Sequence, residues 1–165
     1  MRIASLLALA STMILALGCG DSGSDPCGEG QILCDGECID ACGSGEVECD
    51  CVCIPEIEPT LADLQTGVFD VSCTFSGCHD SMAPAAGLDL SSFDASETNL
   101  INAPSTQVSG DLVVPSELEA SYLINKLTDV DIAPNTTPMP QGGFPLCDAK
   151  LTAVELWVLG GAPLE

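Results

Sequence analysis

The hydrophobic positions divide the chain into stretches with different patterns. Residues 3–17 are nearly all apolar and follow the basic start Met1-Arg2. This run is too short to span a bilayer and is typical of a secretory signal peptide. Residues 27–57 contain no aromatic side chain, whereas all six aromatic residues lie beyond residue 58. Because aromatic side chains supply much of a core's buried area, the pattern predicts the hydrophobic core within 58–165.

Short helices joined by loops rich in proline and glycine are predicted in 58–165. Four helix starts are indicated by capping residues, at Thr60, Asp94, Ser116 and Asp148. The last helix presents Leu151, Val154 and Val158 as an apolar stripe and ends at Gly160-Gly161. The pattern therefore predicts a mostly α domain over 58–165.

The segment 27–57 is rich in cysteine, with Cys27, Cys34, Cys38, Cys42, Cys49, Cys51 and Cys53. Disulfides replace a hydrophobic core in small exported modules, so the segment is predicted to be a small disulfide-rich module. A thiolate metal site between Cys49 and Cys53 is the alternative, which export disfavours. The cysteine count also allows Cys147 to pair with the module, although a Cys73–Cys78 disulfide gives the same parity.

The end of the apolar run, Leu15-Ala-Leu-Gly-Cys19, resembles a bacterial lipobox, whose cysteine is lipidated and becomes the new N-terminus. It predicts a lipoprotein signal peptide over 1–18, lipidation of Cys19 and a flexible tether over 19–26. An ordinary cleaved signal, with Cys19 in a disulfide, is the alternative. The predicted location is the cell envelope, lipid-anchored to the periplasmic or outer membrane face.

The charge is strongly acidic. The chain has 25 Asp and Glu against 3 Lys and Arg, for a formal net charge of −22. Such a charge disfavours binding to nucleic acid or to anionic lipid. It suits a basic partner protein, but a merely solvated or salt-adapted acidic surface is the simpler explanation. With one histidine and two lysines beyond the signal peptide, the chain offers no familiar catalytic motif, and we expect it not to be an enzyme.

The only histidine follows a cysteine in Cys73-Thr-Phe-Ser-Gly-Cys78-His79. Two thiols followed directly by a histidine are typical of c-type haem attachment, in which the thiols bond to the porphyrin and the imidazole binds the iron. The usual spacing has two residues between the cysteines, and this motif has the longer variant with four. A small disulfide loop beside a surface histidine is the alternative.

A second iron ligand is expected from methionine. Met13 belongs to the predicted signal peptide, and Met82 is too close to His79 in sequence to reach the other face of a haem. Met139 lies sixty residues after His79, between Pro138 and Pro140, which stiffen its loop. We therefore predict Met139 as the distal ligand, with a loop methionine covering the core as the alternative.

The order of several motifs resembles the planctomycete-type cytochrome c domain over roughly residues 66–163. After the haem motif come Gly-Leu-Asp-Leu, the Ser-x-Leu-x-x-Lys helix, Met-Pro-Gln-Gly and a terminal Trp-x-x-x-Gly-Ala. The resemblance implies a cytochrome c-like helical fold around haem c. It also implies covalent attachment at Cys73 and Cys78, proximal His79 and distal Met139. The longer cysteine spacing is where this chain departs from the family pattern.

These observations predict a lipid-anchored, single-haem c-type cytochrome that carries electrons in the cell envelope. Its expected partners are a redox protein, the membrane through the lipid anchor, and no nucleic acid. Two alternatives stand beside it. One is a structural or binding lipoprotein in which Cys73 and Cys78 form a disulfide. The other is a haem-based redox or sensor subunit of a larger envelope complex.

Overall fold

The computed structural model describes residues 27–165. The predicted signal peptide over 1–18, the lipidation site Cys19 and the tether over 19–26 lie outside the described residues. Within 27–165, no helix has both the length and the apolar character that crossing a membrane requires.

The cysteine-rich segment forms two antiparallel β-hairpins. Strand β1 (Gln31–Cys34) pairs with β2 (Glu37–Asp40), and β3 (Glu46–Cys49) pairs with β4 (Val52–Pro55). The first hairpin turns at Asp35-Gly36, where both residues have positive φ angles of 49° and 86°. An Asp-Gly pair between alternating residues favours such a two-residue turn, because its twist matches that of the strands.

Disulfides connect these hairpins to each other and to the rest of the chain. The four bonds are Cys27–Cys38, Cys34–Cys51, Cys42–Cys53 and Cys49–Cys147. The prediction of disulfides is confirmed. Since every cysteine of the segment is paired in this way, none offers the free thiolate that the alternative metal site between Cys49 and Cys53 requires.

The prediction of a mostly α, cytochrome c-like fold is wrong for this chain, because the structure is mixed α/β. The difference comes mainly from the cysteine-rich segment, which is predicted from the sequence as a disulfide-rich module with no strands assigned. Its Asp35-Gly36 turn was a hairpin signal, and disulfides stabilise strands too short to be stable alone.

Helices dominate the remainder, in the order α1 (Leu61–Leu64), a π-helical segment (Gln65–Phe69), α2 (Asp70–Ser72), α3 (Phe93–Leu100), α4 (Tyr122–Thr128) and α5 (Asp148–Leu159). Short 3₁₀ turns occur at Ala85–Gly87 and Leu118–Ala120. At the start of α1, the Thr60 hydroxyl accepts the N–H of Asp63 over 3.3 Å, which confirms that cap.

The helix predicted to start at Ser116 starts later. Ser116 has a positive φ of 67° and the helix α4 begins at Tyr122. The reason is the hydroxyl of Ser121, which accepts the N–H of Val114 over 2.9 Å and donates to the carbonyl of Glu117 over 2.8 Å. These bonds fix a turn where the capping pattern alone favours a helix.

The core forms where α1 packs against α3 and α5. Its largest fully buried side chains are Trp157, Phe69, Leu61, Leu64 and Leu100. The indole N–H of Trp157 donates to the carbonyl of Pro163 over 2.9 Å, so the polar atom of this residue is satisfied in the interior. This core supports one wall of a large cavity.

Candidate functional site

A cavity of about 820 Å³ lies beside the core. Its volume falls within the range of pockets that hold small molecules and cofactors. Apolar side chains form much of its wall, among them Val68, Phe69, Leu90, Leu112, Leu123 and Leu127. These residues come from the π-helical segment, from loops and from α4, so the cavity is enclosed by several parts of the chain.

The structure brings Cys73, Cys78, His79 and Met139 together in the wall of this cavity. Met139 is sixty residues from His79 in sequence, so the fold rather than local spacing places it there. Met82, by contrast, is 90% exposed and is not part of the cavity wall. The remaining predicted site residue, Cys19, lies outside the described residues.

The loop that carries the two cysteines and the histidine is closed by backbone hydrogen bonds. The N–H of Cys73 donates to the carbonyl of Phe69 over 2.9 Å, which continues the helical turn from α2. The N–H of Cys78 donates to the carbonyl of Phe75 over 2.8 Å. Gly77 has a φ of +80°, a conformation that glycine adopts without strain, and this allows the turn.

The carboxylate of Asp80 stabilises the same loop. It accepts the backbone N–H groups of Gly77, Met82 and Ala83 over 3.1, 3.0 and 2.9 Å. These bonds, with that from Ala83 the strongest, hold the pKa of the Asp80 carboxyl below its ordinary value. The charged form of Asp80 therefore fixes the backbone on both sides of His79.

A short extended segment orients His79. The Nδ1 atom of the ring lies 2.9 Å from the carbonyl oxygen of Leu88. Because a carbonyl can only accept, Nδ1 donates this hydrogen bond, and in the neutral imidazole the free lone pair then lies on Nε2. The N–H of Leu90 donates to the carbonyl of His79 over 2.9 Å, so one segment holds both the ring and the backbone of this residue. A hydrogen bond donated by Nδ1 in this way is how proteins orient a metal-binding imidazole.

A buried side-chain network supports that segment from behind. Gln65, at the start of the π-helical segment, donates to the carbonyl of Leu90 over 2.9 Å and to the carboxylate of Asp70 over 2.6 Å. Its amide oxygen accepts the hydroxyl of the fully buried Ser96 over 2.7 Å. Gln65 therefore connects the π-helical segment to the extended segment that holds His79. π-helical turns are frequent near functional sites.

The two cysteines of the motif are the only cysteines within residues 27–165 that form no disulfide. Burial raises the pKa of the Cys73 thiol to about 12, although the nearby Lys150 ammonium acts in the opposite direction and Cys78 adds slightly to the rise. At neutral pH this thiol is protonated and is a poor nucleophile in the folded protein.

Met139 is held in place by α4. Its backbone N–H donates to the carbonyl oxygen of Lys126 over 2.7 Å. The ammonium of the same Lys126 donates to the carbonyl of Thr137, two residues before Met139. The side chain of Met139 is partly buried and packs against the core.

Sequence reasoning did not assign several of these supporting groups. For Asp80 a signal was available, because the side chain of an aspartate in a loop commonly accepts the backbone N–H two residues further on, here that of Met82. Lys126 was visible as one of the two lysines of the chain and as part of a motif shared with the resembling family. The roles of Gln65 and of the Leu88 carbonyl depend on tertiary contacts and have no local sequence signal.

A scan against protein-family models matches no family, and searches of curated proteins and of solved structures return no significant match. The resemblance to the planctomycete-type cytochrome c domain therefore stays a prediction. The chemistry of the cavity, with its two predicted attachment cysteines and two predicted iron ligands, is therefore the basis for a function.

Proposed function

We propose that this chain is a lipid-anchored, single-haem c-type cytochrome that carries electrons in the cell envelope. One observation carries the proposal: Cys73, Cys78, His79 and Met139 line the same cavity. The sequence favours Met139 as the distal ligand because Met13 and Met82 are unsuitable. A loop methionine sixty residues away has no local reason to lie beside the haem motif.

The residues of the cavity fit a covalently attached haem. Cys73 and Cys78 offer two thiols that are not in disulfides, as thioether attachment requires. His79 offers an imidazole whose Nε2 is free to bind iron, and Met139 offers a thioether. The apolar side chains of the wall suit a macrocycle that is largely hydrophobic.

In this proposal each residue has a separate role. Cys73 and Cys78 would hold the cofactor covalently, and the Leu88 carbonyl fixes the orientation of the His79 ring, which would bind the iron. Haem supplies a one-electron couple when it is bound, whose potential the protein sets through the axial ligands and the polarity of the cavity. We expect no catalytic residue, because such a carrier exchanges electrons and forms no bond with a substrate.

The main rival function is a binding or structural lipoprotein with a Cys73–Cys78 disulfide. That function gives no reason for His79 and Met139 to line the same cavity. A thiol-exchange function is also disfavoured, because the raised pKa of the Cys73 thiol opposes formation of the reactive thiolate. The attachment proposal has no such difficulty, provided that the thiols react before the chain has folded.

Haem staining of denatured protein tests the proposal. Wild-type protein, produced in a host with haem-attachment machinery, is expected to keep haem through denaturation and acid–acetone extraction. The double variant Cys73→Ser/Cys78→Ser is expected to lose it entirely. The matched control is Cys42→Ser/Cys53→Ser, which also removes two cysteines but breaks a disulfide of the second hairpin. Colourless wild-type protein with a Cys73–Cys78 disulfide, found by mass spectrometry, contradicts the proposal.

The anchor and the partner are tested separately. Lipidated Cys19 is expected to carry the protein into the detergent phase, and Cys19→Ser to release it. An unmodified wild-type N-terminus in the soluble fraction contradicts the anchor. The acidic charge of the chain favours a basic redox partner, so electron transfer to basic acceptors is expected to slow as salt rises.

A further inference from the structure

We propose that Lys126 is the positioning residue for Met139, holding its thioether in the cavity through two hydrogen bonds to the Met139 loop. The inference rests on the proposed function, since it concerns the second ligand of the same haem site. It adds a role for a residue that neither touches the attachment motif nor lies near it in sequence.

Lys126 contacts the loop at two points. Its carbonyl oxygen accepts the N–H of Met139 over 2.7 Å, and its ammonium donates to the carbonyl of Thr137. The two bonds therefore hold the backbone on the N-terminal side of the Met139 side chain. Lys126 itself lies in α4, between the buried Ile124 and Leu127, so it provides a fixed support.

No other hydrogen bond of the described chain joins residues 134–142 to parts of the protein outside this loop and its two flanking residues. The remaining bonds are local: Thr136 bonds to Ala133, Gln141 to Thr137, and Gly143 to Pro140. The loop contains no helix or strand in the structure. Without the two bonds to Lys126, only packing holds Met139 in the cavity wall.

Burial argues against a purely space-filling role for this lysine. Lys126 is only 7% exposed, and within residues 27–165 its ammonium pairs with no carboxylate. A buried unpaired ammonium is unfavourable, so packing alone favours an apolar residue at this position. The hydrogen bond to Thr137 is the compensation that the structure shows, and its consequence is the position of the loop.

Lys150 provides a matched control. It lines the same cavity, and its ammonium donates to the hydroxyl of Ser72 over 3.1 Å, on the side of the cysteine motif. Replacing either lysine with leucine removes one positive charge from the cavity wall. Only Lys126→Leu also removes a hydrogen bond to the Met139 loop. A change in potential seen with both variants therefore reports charge, and loss of methionine ligation with Lys126→Leu alone reports positioning.

The first measurement uses the haem-loaded, full-length protein in its ferric form. Lys126→Leu is expected to lose most of the weak near-infrared band that reports methionine sulfur on iron, whereas Lys150→Leu keeps it. In the ferrous form, Lys126→Leu is expected to bind carbon monoxide at least about tenfold faster than Lys150→Leu, because the sixth position opens more often. Equal bands and equal carbon monoxide binding in both variants overturn the inference.

The second measurement uses haem-free protein labelled with ¹⁵N-methionine. Pro138 and Pro140 have no N–H, so Met139 provides the only backbone amide of this tripeptide. We expect its hydrogen exchange to accelerate roughly tenfold in Lys126→Leu, because a charge-assisted bond that restrains the loop is lost. The amide of the exposed Met82 is expected to be unchanged, and so are both amides in Lys150→Leu.

The two measurements separate the possible failures. Wild-type protein without haem overturns the proposed function, while the exchange experiment still decides whether Lys126 restrains the loop. Wild-type protein with haem but no methionine band overturns ligation by Met139. Unchanged exchange of the Met139 amide in Lys126→Leu overturns the role of Lys126. If Lys126→Leu does not fold, Lys126→Gln replaces it in both measurements. Glutamine has no charge, and its side chain is shorter than that of lysine.

Discussion

The backbone N–H of His79 donates a hydrogen bond to the carbonyl oxygen of Cys73 over 3.1 Å. The two ends of the Cys-x4-Cys-His motif therefore meet, although the motif is longer than the usual form. The additional residues are accommodated in the turn between Phe75 and Cys78, which the positive φ of Gly77 permits. The longer spacing leaves both cysteines and the histidine in the wall of one cavity.

The first prediction concerns Asp80, whose carboxylate accepts three backbone N–H groups around His79. Asp80→Asn is expected to accelerate hydrogen exchange of the Gly77, Met82 and Ala83 amides at pH 7. Because the pKa of the Asp80 carboxyl is lowered in the folded protein, its charged form stabilises the loop at pH values above the pKa of the unfolded chain, which is about 4. This stabilisation is lost as the pH falls through the lower, folded value, so variant and wild type should converge there.

The control for this prediction is Glu119→Gln. The side chain of Glu119 is exposed and accepts no hydrogen bond in the described structure. The backbone amides near it should therefore exchange equally fast in Glu119→Gln and in wild type, both at pH 7 and at a pH below the folded pKa of Asp80. Equal exchange of the loop amides in wild type and Asp80→Asn at pH 7 contradicts the assigned role of the carboxylate.

Local chemistry explains which parts of the fold the sequence predicts. The Thr60 cap and the start of the last helix at Asp148 depend on residues within one helical turn, and both are observed. The predicted start at Ser116 is wrong because Ser121 uses its hydroxyl to fix a turn with Val114. Contacts over seven residues are sufficient to override a capping pattern.

In the candidate site too, the sequence predicts only the part that depends on local residues. The predicted attachment motif is contiguous, and Met139 is a candidate ligand because few methionines are present in the chain. The groups that orient these residues depend on distant pairs, such as Gln65 with Ser96, 31 residues apart. A sequence pattern identifies a residue with the right chemistry, whereas its support comes from partners that only the folded chain brings near.

The second prediction concerns the Cys49–Cys147 disulfide. It connects residues 98 positions apart, whereas Cys42–Cys53 connects residues 11 apart. A longer loop loses more entropy in the unfolded chain when it is closed. Cys49→Ser/Cys147→Ser is therefore expected to lower the free energy of unfolding by about 2 kcal/mol more than Cys42→Ser/Cys53→Ser. Urea unfolding of the haem-free proteins measures this difference, and equal losses contradict the prediction.

The third prediction concerns Gln65. Gln65→Leu leaves the buried hydroxyl of Ser96 without its closest acceptor and removes a donor from the Leu90 carbonyl. We expect the free energy of unfolding to fall by about 1–3 kcal/mol, the usual effect of breaking buried hydrogen bonds. The control is Gln31→Leu in the first hairpin, where only a long exposed bond of 3.4 Å is lost. If Gln65→Leu lowers the free energy of unfolding no more than Gln31→Leu does, the Gln65 network does not stabilise the site.

The last prediction concerns the choice between the two methionines. Met139 lies in the cavity wall, whereas Met82 is 90% exposed and outside it. If Met139 binds the iron, Met139→Ala removes the near-infrared band of the ferric protein. It also lowers the reduction potential, because a thioether ligand favours the ferrous state and water or an empty site does not. Met82→Ala, the matched control, is expected to change neither property.

The outcome for Met139→Ala also decides between two functions of the proposed haem site. Loss of the band supports a six-coordinate carrier, in which the iron only exchanges electrons. An unchanged spectrum and potential mean that Met139 is not a ligand. No second histidine exists in the chain to replace it. The iron would then be five-coordinate or bound by another group of the chain, and the haem-based sensor becomes the better description of the protein.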